Sequence, residues 1–220
     1  MDSVVLLSGG LDSTVSLAQS LREGMVKLCL TFDYGQRAAA REISAAVRLA
    51  GHYGLDHKVL KIDFLGEITG TALVDRKKSI PVPKTDELDD LSVTMQSAAA
   101  VWVPNRNGVF INIAAAFAEA LGCGQVVTGF NREEAATFPD NTLEYVRAAS
   151  QALSYSTANK VRVVSYTQML DKVEIVNLGK RLGVPFNLVW SCYLDREVMC
   201  GECESCRRFY RAMAGAGEQR

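Results

Sequence analysis

The sequence predicts an α/β fold, a doubly wound parallel sheet with helices on both faces. Two observations lead there. Short β-branched apolar runs alternate with segments of helical period along most of the chain, and the first of these runs ends in a glycine turn that opens directly into a helix. A third observation, four cysteines crowded near the C-terminus, predicts a small metal-bound segment, residues 186–220, packed on a main domain of residues 1–185.

Residues 3–7 read as a strand covered on both faces, because their apolar character is continuous and not alternating. Residues 11–22 have helical period, 26–33 form a second strand, 37–53 a second helix and 58–63 a third strand. After an irregular stretch come an Ala-rich helix over 107–121, a strand at 125–128 and a helix over 141–155, and a strand at 161–165 and a helix at 171–182 complete the alternation. Parallel neighbours need a crossover connection, which the intervening helices supply, although alternation alone does not give the strand order. Residues 75–90, DRKKSIPVPKTDELDD, combine prolines and dense charge with no apolar period and are expected to be an exposed loop, either a solvated excursion or a cover over a site at the sheet's edge.

With 220 residues, 48% hydrophobic and 22% charged, the chain has the composition of an ordinary globular protein with one main domain. Its 24 Lys and Arg against 25 Asp and Glu leave a formal charge of −1, too little field to hold a nucleic-acid backbone or an anionic membrane, so neither is expected as a partner. The apolar run at residues 4–7 is too short for the core of a secretion signal and the run at 113–118 too short to span a bilayer. A cytoplasmic location is the expectation.

Where strand one ends, the chain reads Leu7-Ser8-Gly9-Gly10-Leu11-Asp12-Ser13-Thr14. Glycines let a backbone approach an anion, and the N–H groups of a helix start, with the hydroxyls of Ser8, Ser13 and Thr14, can surround phosphate oxygens. Asp12 is then placed to orient Mg2+ or a backbone donor. Neither GxxxxGK[ST] nor GxGxxG is present. The string SGGLDS is similar to the loop of the PP-loop ATP pyrophosphatases, and composition alone would produce its five fixed positions in roughly 3 of 10,000 such chains.

That resemblance implies ATP cleaved between its α- and β-phosphates, with Leu7 to Thr14 binding the nucleotide. It also implies a five-stranded sheet of order 3-2-1-4-5, with the ligand crevice between strand one and the strand at 125–128. Gly129 would then face the phosphate loop, Phe32 and Asp33 would lie near adenine and ribose, and Lys172 would supply a cation to the leaving pyrophosphate, unless it is merely an exposed lysine at a helix start.

Cys192, Cys200, Cys203 and Cys206 have the spacing C-x7-C-x2-C-x2-C. Four thiolates close a tetrahedral shell around Zn2+ with no open position, so such a metal is structural; an iron–sulfur cluster is the rival reading. Cys29, within an apolar strand, and Cys123, at a helix end, are expected to be ordinary buried thiols.

Taken with Leu30 to Arg37, Val103 to Asn107, Phe138-Pro139-Asp140 and the cysteine run, the chain resembles one branch of the PP-loop group over nearly its whole length, the 7-cyano-7-deazaguanine synthase family. The resemblance implies 7-carboxy-7-deazaguanine and ammonia as substrates, ATP and Mg2+, structural zinc and a homodimer. Arg106 would pair the substrate carboxylate, Asn107 or Asn131 would hydrogen-bond the heterocycle, an aromatic such as Phe138 would stack on it, and Asp140 belongs to the same substrate stretch; the alternatives are that Arg106 and Asn107 are a loop and helix cap and Phe138 a core residue. The chain departs from the family's usual pattern at Ala38, where many members carry histidine, and at Phe138 to Thr142, where a tyrosine-proline-aspartate-cysteine-arginine stretch is usual. Relatives that stop at the amide or use another amine, a tRNA-adenylating enzyme, and a zinc-stabilised module with a regulatory nucleotide site are the competing readings.

Overall fold

A computed structural model describes residues 1–217. Five strands, β1 (Ser3–Leu6), β2 (Val26–Asp33), β3 (His57–Lys61), β4 (Gln125–Thr128) and β5 (Arg162–Ser165), form one sheet in the order β3-β2-β1-β4-β5. Every pairing is parallel, and the order is the one that the resemblance implies. β1 is the central strand, and its residues alternate between two cores: Val4 packs with Leu30, Ile111 and Val126, whereas Val5 packs with Leu17, Leu49 and Val127.

Helices cover both faces. α1 (Leu11–Glu23) and α2 (Ala39–His52) supply Leu17, Ala46 and Leu49 to one core. After the short α3 (Asp63–Ile68) and α4 (Leu91–Val101), α5 (Arg106–Ala120) lays Ile111, Ala114, Ala115 and Ala118 on the other, where small side chains let the helix lie close to β1 and β4. The one-turn α6 (Arg132–Ala135) follows β4, α7 (Leu143–Ser156) precedes β5, and α8 (Lys172–Leu182) and α9 (Glu204–Gly215) complete the chain. Trp190, Cys192, Cys203 and Cys206 join the larger core and Phe209 and Ala212 pack with α1 and α8, so residues after 185 share hydrophobic clusters with those before it. Among the described residues no helix is long and apolar enough to cross a membrane.

The helix α4 falls in the stretch read from sequence as irregular, because its apolar residues are scattered without a clear stripe. Its start was marked all the same: the Asp90 side chain caps it, accepting from Ser92 N at 2.8 Å and Val93 N at 3.3 Å. Residues 75–90 are largely exposed, as their charge predicts, yet they are pinned. Ile80, Pro83 and Leu88 are buried, and one 3-10 turn spans Thr85–Glu87. The α9 arginines hold the segment: Arg207 donates to Thr85 Oγ1 at 3.2 Å, Arg208 to Leu88 O at 2.9 Å and Arg211 to Asp89 at 2.8 Å.

Ile175 of α8 is fully buried between α1 and α9. Ile175→Ala is expected to lower unfolding stability by about 2–5 kcal/mol, read as a fall in the urea midpoint at unchanged slope.

Candidate active site

The ends of β1, β2 and β4 open into a cavity of about 310 Å³ that is lined by Ser8, Gly10, Leu11, Asp12, Ser13 and Gly129, among others. This is the crevice outside the carboxyl ends of a doubly wound sheet, where the strand order reverses. Leu7 and Phe32 also reach it. Gly10 is the N-cap of α1 and provides no capping side chain, so the first-turn N–H groups are left for an incoming acceptor. Ser8 and Ser13 are linked hydroxyl to hydroxyl at 3.0 Å, and Gly10 N donates to Ser8 Oγ at 3.3 Å.

Two glycines are required by close approach. Gly9 has φ +81°, and a Cβ there would meet Ala45 Cβ and Glu42 O at 2.9 Å. A Cβ on Gly129 would lie 2.6 Å from Ser13 N. The end of β4 therefore touches the phosphate loop as the resemblance implies. Gly9 and Thr14 shape the loop without lining the cavity: Thr14 is buried and its hydroxyl donates to Gly10 O at 2.7 Å.

Lys172 is buried and faces Asp12, not solvent. Its Nζ donates to Asp12 Oδ2 and, at 2.8 Å, to Glu134 Oε1. Local sequence places it there. Asp171 and Glu174 form a capping box that starts α8, with reciprocal bonds of 2.8 and 2.9 Å, and Arg132 donates to both carboxylates. Burial alone would lower the Lys172 ammonium, but Asp12 and Glu134 outweigh it and raise it. Burial dominates at Asp12 and pushes its carboxyl up to about 6 despite Lys172, with Glu134 adding to the rise. Asp12 Oδ1 is buried with no hydrogen-bond partner. An orphaned anionic oxygen beside the phosphate loop fits a divalent cation carried in with a triphosphate.

Arg106, at the start of α5, and Asn107 line the same cavity. Arg106 Nη1 donates to Tyr34 Oη at 3.2 Å, and its guanidinium lies 5.8 Å from the Tyr34 ring. Phe138 also lines the cavity and stacks on Trp102 with centroids 6.2 Å apart. Asn131 lies elsewhere: it is fully buried, outside the cavity wall, and its Oδ1 accepts from Glu134 N at 2.9 Å as the cap of α6. Asp140 stands behind the wall, bonded by Asn141 Nδ2 at 3.0 Å, while Asn141 itself faces the cavity. Ala38 is buried and does not reach it.

The sulfur atoms of Cys192, Cys200, Cys203 and Cys206 all lie within 4.8 Å of one another. Cys200 and Cys206 are 3.8 Å apart, the edge, about 3.8 Å, of a tetrahedron with metal–sulfur bonds of about 2.3 Å. Backbone N–H groups of Leu194, Cys200, Glu202 and Cys203 point at sulfur at 3.3–3.5 Å, which favours thiolates. The donor set and spacing thus fit a four-coordinate metal. Cys29 and Cys123 are fully buried apart from this cluster, and burial pushes the Cys29 thiol up to about 12.

Sequence reasoning missed the ionic frame around the site. Arg208 of α9 lines the cavity and pairs with Glu133 at 3.1 Å and Glu204 at 2.9 Å, while Tyr34, Glu42, Trp190 and Tyr193 complete the wall. Tyr34 and Glu204 lie within runs that carry the resemblance, but no linear pattern marks Arg208, Glu42 or Trp190 as part of the site. The one local clue is the acidic pair Glu133-Glu134 following a capping asparagine.

A family model described as "Queuosine biosynthesis protein QueC" matches residues 2–217. The chain is 64% identical over 219 residues to the 7-cyano-7-deazaguanine synthase of Pelotomaculum thermopropionicum, covering 100% of this chain and 99% of that one. It is 58% identical over 217 residues to the protein of the same name from Desulforamulus reducens (99% and 95% covered) and 45% identical over 220 to that from Methanosarcina mazei (99% and 95% covered). Among solved structures, a 4-thiouridine synthetase–RNA complex with bound ATP superposes with a TM-score of 0.50 at 19% identity, over 98% of this chain and 50% of that one, a likeness of fold.

Lys172→Met leaves Asp12 and Glu134 without their shared cation, and stability at pH 8 is expected to fall by about 3 kcal/mol. The folded Asp12 carboxyl already sits near 6, above its ordinary 3.8, so the folded state takes up that proton first and gains relative stability as pH falls through 6 towards 4. The gap between variant and parent, followed by thermal melts, is therefore expected to narrow between pH 8 and pH 5. A gap independent of pH would mean that the ion pair contributes nothing at Asp12.

Proposed function

The chain belongs to the QueC family of queuosine biosynthesis proteins, and from that premise we propose that it is an ATP-dependent carbon–nitrogen ligase that converts 7-carboxy-7-deazaguanine and ammonia to 7-cyano-7-deazaguanine. The observation that carries the reading is the sharing of one cavity by the phosphate loop, the buried Lys172 and Arg106. An anion-binding turn and a cation for a substrate carboxylate are what this reaction needs side by side.

A carboxylate does not condense with ammonia in neutral water, because oxide is too poor a leaving group. Transfer of AMP from ATP to the carboxylate oxygen supplies a leaving group, and ammonia then displaces AMP to give the amide. A second activation, on the amide oxygen, followed by loss of the remaining N–H protons, gives the nitrile, so one nucleotide site serves both rounds. The first-turn N–H groups of α1, with Ser8 and Ser13, would hold the phosphates, and Lys172 would stabilise the departing pyrophosphate. Asp12 would hold Mg2+, which spreads the charge of the triphosphate when bound. Arg106 would pair the substrate carboxylate, with Asn107 and Phe138 against the heterocycle. Phe32 and Gly129 would border the nucleotide.

The four cysteines would hold Zn2+. An all-thiolate shell leaves no open position, so its work is to fix Ser191, Tyr193, Glu204 and Arg208 in the cavity wall. A homodimer is part of the same proposal, to be read by sedimentation of the purified chain.

The test is mass spectrometry of 7-carboxy-7-deazaguanine incubated with the protein, MgATP and ammonium, following base and nucleotide together. Nitrile with AMP and pyrophosphate is the expected outcome; amide alone would mean a reaction stopped at its first round, and an unchanged base would overturn the reading. Asp12→Ala is expected to keep the fold and lose at least 100-fold in turnover. Elemental analysis should find one zinc per chain, and Cys203→Ser should lose it with a melting temperature several degrees lower. A fully active, metal-free Cys203→Ser protein would remove zinc from the proposal.

A further inference from the structure

Among the described residues, five carboxylates line the cavity: Asp12, Glu42, Glu133, Glu134 and Glu204. Four are ion-paired in place, Asp12 and Glu134 with Lys172, Glu133 and Glu204 with Arg208. Glu42 differs. Among the described residues no ion pair reaches it, and its partner is the neutral Gln36, whose Nε2 donates to Oε2 at 2.9 Å. Gln36 cannot turn away, since its Nε2 also donates to Phe32 O at 3.1 Å and its Oε1 accepts from Tyr34 N at 2.9 Å. The turn after β2 thus orients one oxygen of Glu42 and leaves the other to the cavity.

The position is also specific. The Glu42 carbonyl lies against the phosphate loop, close enough that a Cβ on Gly9 would meet it at 2.9 Å. Burial raises the Glu42 carboxyl above its ordinary value, opposed by the Gln36 hydrogen bond and by Arg106; Asp33, Cys192 and Tyr34 are the other titratable groups that act on it. An acceptor oxygen that no cation among the described residues contacts as an ion pair, with Arg106 acting on it only from beyond that range, suits a small N–H donor.

On the ligase reading given above, we propose that Glu42 docks the ammonium ion and accepts a nitrogen-bound proton in both rounds of the reaction. In the first, ammonium gives one proton to Glu42, and the freed lone pair attacks the acyl carbon. The C–O bond to AMP breaks with its electron pair on the phosphate oxygen, and the excess proton on nitrogen passes to solvent, leaving the amide. Glu42 then releases its proton to solvent. In the second, the amide oxygen carries AMP and one N–H proton has gone to solvent; Glu42 takes the last N–H proton, the N–H pair becomes the third C–N bond, and AMP departs with the C–O pair. No oxidant or reductant is involved, and only ATP and ammonia are consumed.

Glu42→Gln and Glu42→Asp separate this role from others through three readings: pyrophosphate exchange into ATP driven by the acid substrate without ammonium, amide formation over an ammonium series, and conversion of the synthetic amide to nitrile without ammonium. In Glu42→Gln the exchange should persist to within tenfold, while kcat/KM for ammonium and kcat for the amide both fall 100-fold or more, with Glu42→Asp in between. Unchanged amide and nitrile formation would overturn the proposal. Loss of exchange with an equal rise in KM for the base in all three readings would do so too, making Glu42 a reader of the heterocycle's N–H edge. If the parent protein shows no exchange, the ligase reading fails first and takes this proposal with it.

Discussion

Lys172 holds two carboxylates from two different elements, the mostly buried Asp12 of α1 and the partly exposed Glu134 of α6, at the wall of the cavity. Each of those carboxylates would be costly to bury alone, and the lysine would be costly to bury without them. The pairing therefore fixes how α1, α6 and α8 meet, and much nearby sequence serves it: the capping box that starts α8, the Arg132 bridge to that box, and the Asn131 cap that turns α6 toward it. The sheet order makes the meeting possible. α1 follows β1 and α6 follows β4, which are neighbours, and α8 follows β5, next in line, so three strand-to-helix connections begin at one end of three adjacent strands.

The C-terminal segment closes the cavity from the other side. Trp190 N donates to Gly9 O at 2.8 Å, which ties the incoming chain to the phosphate loop, and Arg41 reinforces the joint through Asp195 at 3.3 Å and the Trp190 ring at 5.7 Å. From there the chain winds through the cysteine cluster into α9, whose Arg208 reaches back to Glu133 and out to Leu88. A short irregular segment cannot bury enough apolar surface to hold such a path by itself, and the four clustered cysteines give it a local centre. Cavity wall, cysteine cluster and the charged 75–90 segment are thus one mechanical unit.

The features read from sequence were those with short-range causes. Strand runs show because a strand covered on both faces must be continuously apolar, the turn after β1 because only glycine allows the close approach at Gly9, and the cysteine cluster because thiol spacing is itself geometry. The helix α4 escaped for want of a stripe, although Asp90 marked its start. Asn131, read from sequence as a contact to the heterocycle, is placed as the cap of α6, a role that the same side-chain oxygen serves. Thr14 likewise spends its hydroxyl within the loop. Arg208 and Glu42 left no trace in the pattern, since an exposed helix arginine and an exposed helix glutamate look the same.

By itself the sequence determined an α/β alternation, a glycine turn after the first strand and four thiols at the spacing of a ligand set, because dihedral preference, apolar period and residue spacing act over a few residues. Only the tertiary structure decided which carboxylates are paired and which one is left open. Coulomb interactions and desolvation depend on distance through space, and residues such as Glu42, Glu133, Lys172 and Arg208 acquire their distances only when four crossovers and a returning C-terminal segment have closed around one cavity.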